Sequence, residues 1–145
     1  MRVMALDHGT HRVGVAISDD MGMLATPLEF IRAEPAAGCF ARIKHLAKEK
    51  DAGLILVGMP RNMDGSYGPA AEKVNAFIAI LKSEIALPVQ TWDERLTSVQ
   101  ANRSLQQSGI NSAKARTRVD SAAATILLQA YLDRQGLAKN RSLGG

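Results

Sequence analysis

Cysteine is nearly absent from this chain: Cys39 stands alone among 145 residues. One thiol cannot build a disulfide framework, so the disulfide-stapled secreted scaffolds are excluded and a reducing compartment fits. In the setting Ala-Ala-Gly-Cys-Phe-Ala it reads as a small buried apolar side chain, not a nucleophile. Aromatic residues are scarce at 4%, which argues against an aromatic stacking platform as the main contact with nucleic acid. No apolar run approaches the length of a membrane span. The opening Met1-Arg2-Val3-Met4-Ala5-Leu6 is stopped by Asp7 before it could act as a secretory leader. Low-complexity stretches and internal repeats are also missing. These absences lead us to expect a cytoplasmic protein with no membrane partner.

What is present has the balance of one globular domain. At 46% apolar residues the chain can bury a core without staples. We expect a single domain over residues 1–135 and a flexible polar tail over 136–145. Charge is unevenly spread. Residues 1–94 hold 10 Lys/Arg against 12 Asp/Glu, whereas residues 95–145 hold 8 against 2. A basic final third fits a polyanionic partner, although a solvated helix face would look the same.

Val3 to Leu6 is a short apolar run suited to a strand buried on both faces. His8-Gly9-Thr10-His11 reads as a tight turn into a second strand, Val13 to Ser18, which a short connection makes antiparallel. Met23 to Phe30 reads as a third strand, placed at an edge by Pro27. The pattern then changes. Phe40, Ile43, Leu46 and Ala47 have helical spacing within 39–50, and Leu54 to Val57 is a continuous apolar strand. A polar loop, 61–68, leads to Pro69 as the first residue of a helix reaching about Ile85. Pro88 to Trp92 is a fifth strand. Thr97 with Gln100 forms a capping box for a helix ended by Gly109, and a last helix carries Val119, Ala122, Ala123, Ile126, Leu127 and Ala130 on one face. The order predicts an α/β fold: a five-stranded mixed sheet flanked by helices. Strands 1–3 form an antiparallel meander, and strands 4 and 5 run parallel to strand 1.

Acids close two of the parallel strands: Asp7 the first, Asp93 and Glu94 the fifth. Ligands of such sheets gather beyond the carboxyl ends of the strands. Asp120 opens the last helix beside its apolar face. Carboxylates converging there would repel one another unless a cation lay between them, and Mg2+ or Mn2+ suits an all-oxygen cluster. Two such ions can stabilise both the attacking and the leaving oxygen of a phosphodiester displacement. Asp7 is the candidate bridging ligand, and Glu94 and Asp120 complete the metal set. Asp93 and Glu94 would point to opposite faces, so one of them is the ligand; Glu94 is preferred, leaving Asp93 as the alternate catalytic candidate and a partner for Arg95. As duller readings, Asp7 caps a turn and Asp120 closes a capping box with Thr117. Arg61 and Asn62 in the loop after the fourth strand, together with Arg95, Arg103, Lys114, Arg116 and Arg118, are candidates for phosphate contacts. His8 and His11 read as exposed turn residues.

Five blocks in order resemble one family: Asp7-His8-Gly9-Thr10, Arg12-Val13-Gly14-Val15-Ala16, Val57 to Gly65, Asp93 to Ser98, and Val119 to Ala124. The chain from about Arg2 to Leu132 is similar to the YqgF/RuvX-type pre-16S rRNA nucleases. The resemblance implies an RNase H-like fold related to Holliday-junction resolvases. It implies a role in maturing the 5′ end of 16S ribosomal RNA, with the immature small ribosomal subunit as a partner. The family's acidic positions fall on Asp7, on Asp93-Glu94 and on Asp120. Alternatives are a resolvase acting on branched DNA and a non-catalytic RNA-binding assembly factor. Asp7-His8-Gly9-Thr10 also resembles the first phosphate loop of the sugar kinase, Hsp70 and actin superfamily, but that machinery needs two such domains.

Overall fold

The computed structural model describes residues 1–97 and 123–136. Asp120, Arg103, Lys114, Arg116, Arg118, the helix expected after Thr97 and the expected tail beyond Gly136 lie outside these residues.

Five strands form one sheet in the order β3-β2-β1-β4-β5. They are β1 (Arg2–His8), β2 (Arg12–Ser18), β3 (Ala25–Arg32), β4 (Ala52–Met59) and β5 (Val89–Asp93). β1 pairs antiparallel with β2 and β2 with β3, whereas β1, β4 and β5 are parallel neighbours. This is the mixed topology expected from the sequence, with β3 at the edge where Pro27 is tolerated. Helices α1 (Ala36–Glu49) and α2 (Pro69–Glu84) provide the crossovers. A further helix, α3, covers residues 123–136.

Two apolar layers explain the sequence pattern. On one face Met4, Leu6, Val13, Val15, Ile55 and Val57 pack against Phe40, Ile43 and Leu46 of α1 and Val74, Phe77 and Leu81 of α2. On the other, Val3, Ala5, Ala16, Leu54, Leu56 and Trp92 pack against Ala123, Ala124, Leu127, Leu128 and Tyr131 of α3. β1 and β4 are covered on both sides, so they lack the polar–apolar alternation of an edge strand. Leu6, Ile55, Leu56 and Leu127 are fully buried, each stabilising the fold by about 1.5–3 kcal/mol relative to exposure.

Some boundaries differ from the sequence reading. β1 continues through Asp7 and His8 because the turn is tighter than expected: the Gly9 N–H donates to the Arg12 carbonyl at 2.8 Å. A Cβ at Gly9 would stand 2.9 Å from that carbonyl oxygen, so the close approach needs glycine. β3 starts at Ala25 and not Met23, because the Met23 and Leu24 amides donate to the Asp19 carboxylate at 2.7 and 3.1 Å. That shapes a turn instead of a strand. α1 starts three residues before Cys39, which is buried as expected. Pro69 opens α2, also as expected.

Candidate active site

β1 ends in Asp7, and β5 passes into a single 3-10 turn, Glu94–Leu96. Both acids lie at the carboxyl end of the parallel strands. Asp7 is 3% exposed and Glu94 1% exposed. Alternation along β1 puts Asp7 on the face of Val3 and Ala5, beneath α3, and Trp92 places Glu94 on the same face. Between them runs β4. Leu6 pairs with Val57, so Asp7 lies alongside Gly58. Glu94 reaches back over that glycine: a Cβ at Gly58 would stand 2.9 Å from Glu94 Oε1 and 2.5 Å from Leu127 Cδ1. The missing side chain leaves a cradle into which Glu94 folds, roughly one strand spacing, about 4.8 Å, from the strand of Asp7. Gly58 follows the strand expected over Leu54 to Val57, and its position within β4, on the acids' face, is the signal for the cradle.

Asp93 behaves differently from its neighbour. Its carboxylate accepts from the Arg95 backbone N–H at 2.9 Å and from Arg95 Nη2 at 2.8 Å. Arg61 Nη1 lies 3.4 Å from the same carboxylate. Arg95 above all holds the Asp93 carboxyl below the usual carboxylate range, against a smaller opposing effect of burial. Arg95 thus pairs with the acid that is not in the cradle, and the Asp93–Glu94 step divides the two carboxylates between an ion pair and the buried site.

The loop after β4 is tied to this pair. Arg61 Nε donates to the Gly65 carbonyl at 3.0 Å, and its guanidinium lies 4.6 Å from the Tyr67 ring centroid. Gly65 adopts a φ of +88°, a conformation glycine takes at little cost. The Asn62 backbone N–H donates to the Ser66 carbonyl at 2.9 Å, and Asn62 Nδ2 to Ser66 Oγ at 3.0 Å. Ser66 in turn donates to Asp64 and lowers the pKa of that carboxyl. Arg61, Asn62 and Arg95 therefore meet at one end of the sheet, but their described contacts build the loop itself.

His8 is not an exposed turn residue as expected. It is half-buried in β1, with its ring centroid 4.7 Å from that of Phe77 on the α1/α2 face. Burial is the main cause lowering its pKa, with Asp7 opposing and Lys73 assisting. His11 is exposed.

Among the described residues no three His, Cys, Asp or Glu side chains gather into a metal-holding group. Two buried carboxylates on one face nevertheless fit a hard divalent cation, since Mg2+ is commonly held by one or two carboxylates while substrate phosphates and water fill the remaining positions.

A mixed five-stranded sheet in this order, with acids at the carboxyl edge, defines the RNase H-like class in its resolvase-type form. Solved structures agree on the fold: Thermus thermophilus RuvC superposes with a TM-score of 0.55 at 13% identity, covering 94% of this chain and 97% of that one. The fowlpox virus Holliday junction resolvase gives 0.53 at 13% identity, covering 92% and 99%. The chain belongs to the RuvX family, described as a Holliday junction resolvase family, which it matches over residues 1–134. A relative from Pelotomaculum thermopropionicum, named "Putative pre-16S rRNA nuclease", is 42% identical over 146 residues, covering 100% of this chain and 94% of the relative. A Moorella thermoacetica relative of the same name is 46% identical over 136 residues, covering 94% and 97%. Among the described residues no helix is long and apolar enough to cross a membrane.

Proposed function

We propose that this protein is a divalent-metal-dependent endonuclease that hydrolyses phosphodiester bonds in the 5′-end maturation of pre-16S rRNA, acting in the cytoplasm as a single domain over residues 1–135. The observation that carries the reading is the pair of buried carboxylates, Asp7 and Glu94, brought to one face on either side of Gly58. Two carboxylates on one face offer an oxygen donor set to a hard cation, whose charge offsets their mutual repulsion. Asp7, Glu94 and Asp120 are the proposed metal ligands; Asp120 precedes the buried Ala123 of α3 by three residues. Bound Mg2+ or Mn2+, as two ions, would stabilise charge on the attacking and leaving oxygens. The protein's own part is to hold two carboxylates rigidly in a packed sheet and to exclude bulk water from them.

Asp93 is assigned to positioning. By pairing with Arg95 and Arg61 it keeps both guanidinium groups at the sheet end where the strand enters. Asn62, Arg103, Lys114, Arg116 and Arg118 complete the proposed phosphate contacts. The names of the relatives support pre-16S rRNA, and with it the immature small subunit, as the substrate. The family description favours a second reading, resolution of branched DNA.

Incubating the purified protein with a pre-16S leader RNA and with a four-way DNA junction, each with Mn2+ and with EDTA, separates the readings. Mn2+-dependent cleavage of the RNA, lost in Asp7→Asn, is the expected result. Cleavage of the junction alone would move the assignment to resolvase chemistry. RNA binding with no cleavage in either buffer would leave an assembly factor.

A further inference from the structure

Aromatic side chains are few in this chain, and all but one are put to use inside it. Phe40, Phe77, Trp92 and Tyr131 are buried in the two apolar layers, and Phe30 is half-buried on the edge strand β3. Tyr67, at 58% exposure, is the one exposed Phe, Tyr or Trp. It stands in the loop between β4 and α2, at the sheet end that carries Asp7 and Glu94. One face of its ring is covered: the Arg61 guanidinium carbon lies 4.6 Å from the ring centroid. That guanidinium also donates to the Gly65 carbonyl and lies 3.4 Å from the Asp93 carboxylate, so a single side chain separates the ring from the neighbour of Glu94. The paired hydrogen bonds from Asn62 to Ser66 close the loop immediately before Tyr67. Among the described residues no second ring or guanidinium stacks on Tyr67.

We infer that Tyr67 is a stacking shelf for one unpaired base of the RNA strand, close to the nucleotide whose phosphate meets the acids; the inference rests on the nuclease reading above. Every base has a π face, so a ring in this place accepts any of the four without reading sequence. It accepts only a base that has left a duplex, because bases inside a helix are already stacked on their neighbours. Arg61 acts here as the support and not as the contact. Its guanidinium is held by Gly65 and Asp93, and its cation–π contact fixes the ring from behind. A ring fixed in advance loses little freedom when a base arrives, so more of the stacking appears as affinity. One ring serves one base, which agrees with the scarcity of aromatics: phosphate contacts hold the rest of the strand. The shelf therefore selects a substrate that is single-stranded at the cut and sets which nucleotide lies over the acids.

The test measures binding of a labelled single-stranded leader RNA in EDTA, so that no cleavage intervenes, by the parent, Tyr67→Ala and Tyr67→Phe, each checked for an unchanged melting temperature. Tyr67→Ala should weaken binding by about fivefold or more, the scale of one lost base stack. Its affinity should keep the parental salt dependence, because no phosphate contact is removed. Tyr67→Phe should bind like the parent, since it keeps the ring. A set of leader RNAs, each with one abasic position, then locates the base: at one position the abasic site should weaken the parent but not Tyr67→Ala, because the two changes remove the same contact. A fully paired duplex of the same sequence should bind the parent and Tyr67→Ala equally. A parent that binds and cuts RNA, with Tyr67→Ala of parental affinity, would overturn the shelf while leaving the nuclease reading standing. So would a loss in Tyr67→Ala that Tyr67→Phe shares, or that is the same for the duplex and at every abasic position, since the hydroxyl or the loop would then be responsible. A parent with neither binding nor cleavage would overturn that reading and the shelf with it.

Discussion

Glu94 lies against Gly58 so closely that a methyl group at position 58 would stand 2.9 Å from the Glu94 Oε1 atom. The same methyl would stand 2.5 Å from Leu127 Cδ1. Gly58→Ala must therefore displace a carboxylate and a core side chain together. Overpacking of this kind costs about 1–3 kcal/mol, which a urea unfolding curve will register as a lower midpoint at unchanged slope. Cleavage should fall much further than stability, because the displaced carboxylate is part of the proposed metal site. A Gly58→Ala protein with parental activity would show that the position of Glu94 over β4 is immaterial to the chemistry.

Adjacent acids with opposite assignments give a sharper test. Glu94 is buried in the cradle, whereas Asp93 is engaged by Arg95 and Arg61. Glu94→Gln should raise the Mn2+ dissociation constant by at least about tenfold, the scale on which residues that merely support a ligand already act. Asp93→Asn should leave Mn2+ affinity close to parental but weaken RNA binding, since Arg95 and Arg61 lose their common anchor. Calorimetric titration of each variant with Mn2+ decides the matter. Loss of metal binding in Asp93→Asn, with retention in Glu94→Gln, would exchange the two roles.

Much of this arrangement is legible in the residues. The run Val3–Leu6 marks β1 because a strand covered on both faces needs apolar residues at every position, and Pro27 marks the edge because a central strand cannot spare an amide. Asp7 and Glu94 follow from strand ends in a parallel sheet. The pairing of Arg95 with the acid that Glu94 leaves over follows from alternation alone. What the sequence conceals is cross-strand register. Gly58 looks like a terminator until Leu6 is known to pair with Val57. Arg12 and Arg32 are 20 residues apart in sequence and become neighbours only through the β2–β3 register, which an irregularity between Val15 and Ala16 shifts. The setting of His8 is hidden for a related reason. Its neighbours Gly9 and Thr10 signal a turn, but Phe77 of α2, far along the chain, supplies the ring it packs on.

The edge strand β3 is tied to α1 by one ion pair with a defined pH signature. Arg42 donates to Glu29 through Nη2 at 2.7 Å and Nε at 3.0 Å. The Arg42 hydrogen bond, the largest cause, lowers the Glu29 pKa in the folded state. A carboxylate with a depressed folded pKa contributes stability above its unfolded value, near about 4.3, and loses it as pH falls through the folded pKa. Both partners are substantially exposed, so solvent screening limits the contribution to about 0–1 kcal/mol. Glu29→Gln should therefore be slightly less stable than the parent at pH 7, with the gap closing by about pH 3. Urea midpoints measured at both pH values will report it. A gap that stays constant with pH would mean that packing, not charge, accounts for the difference.

Metal binding itself should be visible in stability before any substrate is added. A ligand that binds only the folded state stabilises it by about 2.7 kcal/mol at a hundredfold excess over its dissociation constant. For a chain of this size that corresponds to a rise in melting temperature of roughly 5–10 °C. The parent should show such a rise with Mn2+ and lose it with EDTA. Asp7→Asn should show almost none, while its melting temperature in EDTA should equal or slightly exceed the parent's, because removing one buried charge relieves repulsion from Glu94. The two halves of this expectation separate a catalytic acid from a structural one. A carboxylate kept for the fold, for instance to cap the turn at Gly9, would make Asp7→Asn less stable in EDTA and leave the Mn2+ response intact. That pattern would remove Asp7 from the metal site, and the nuclease mechanism would lose its central ligand.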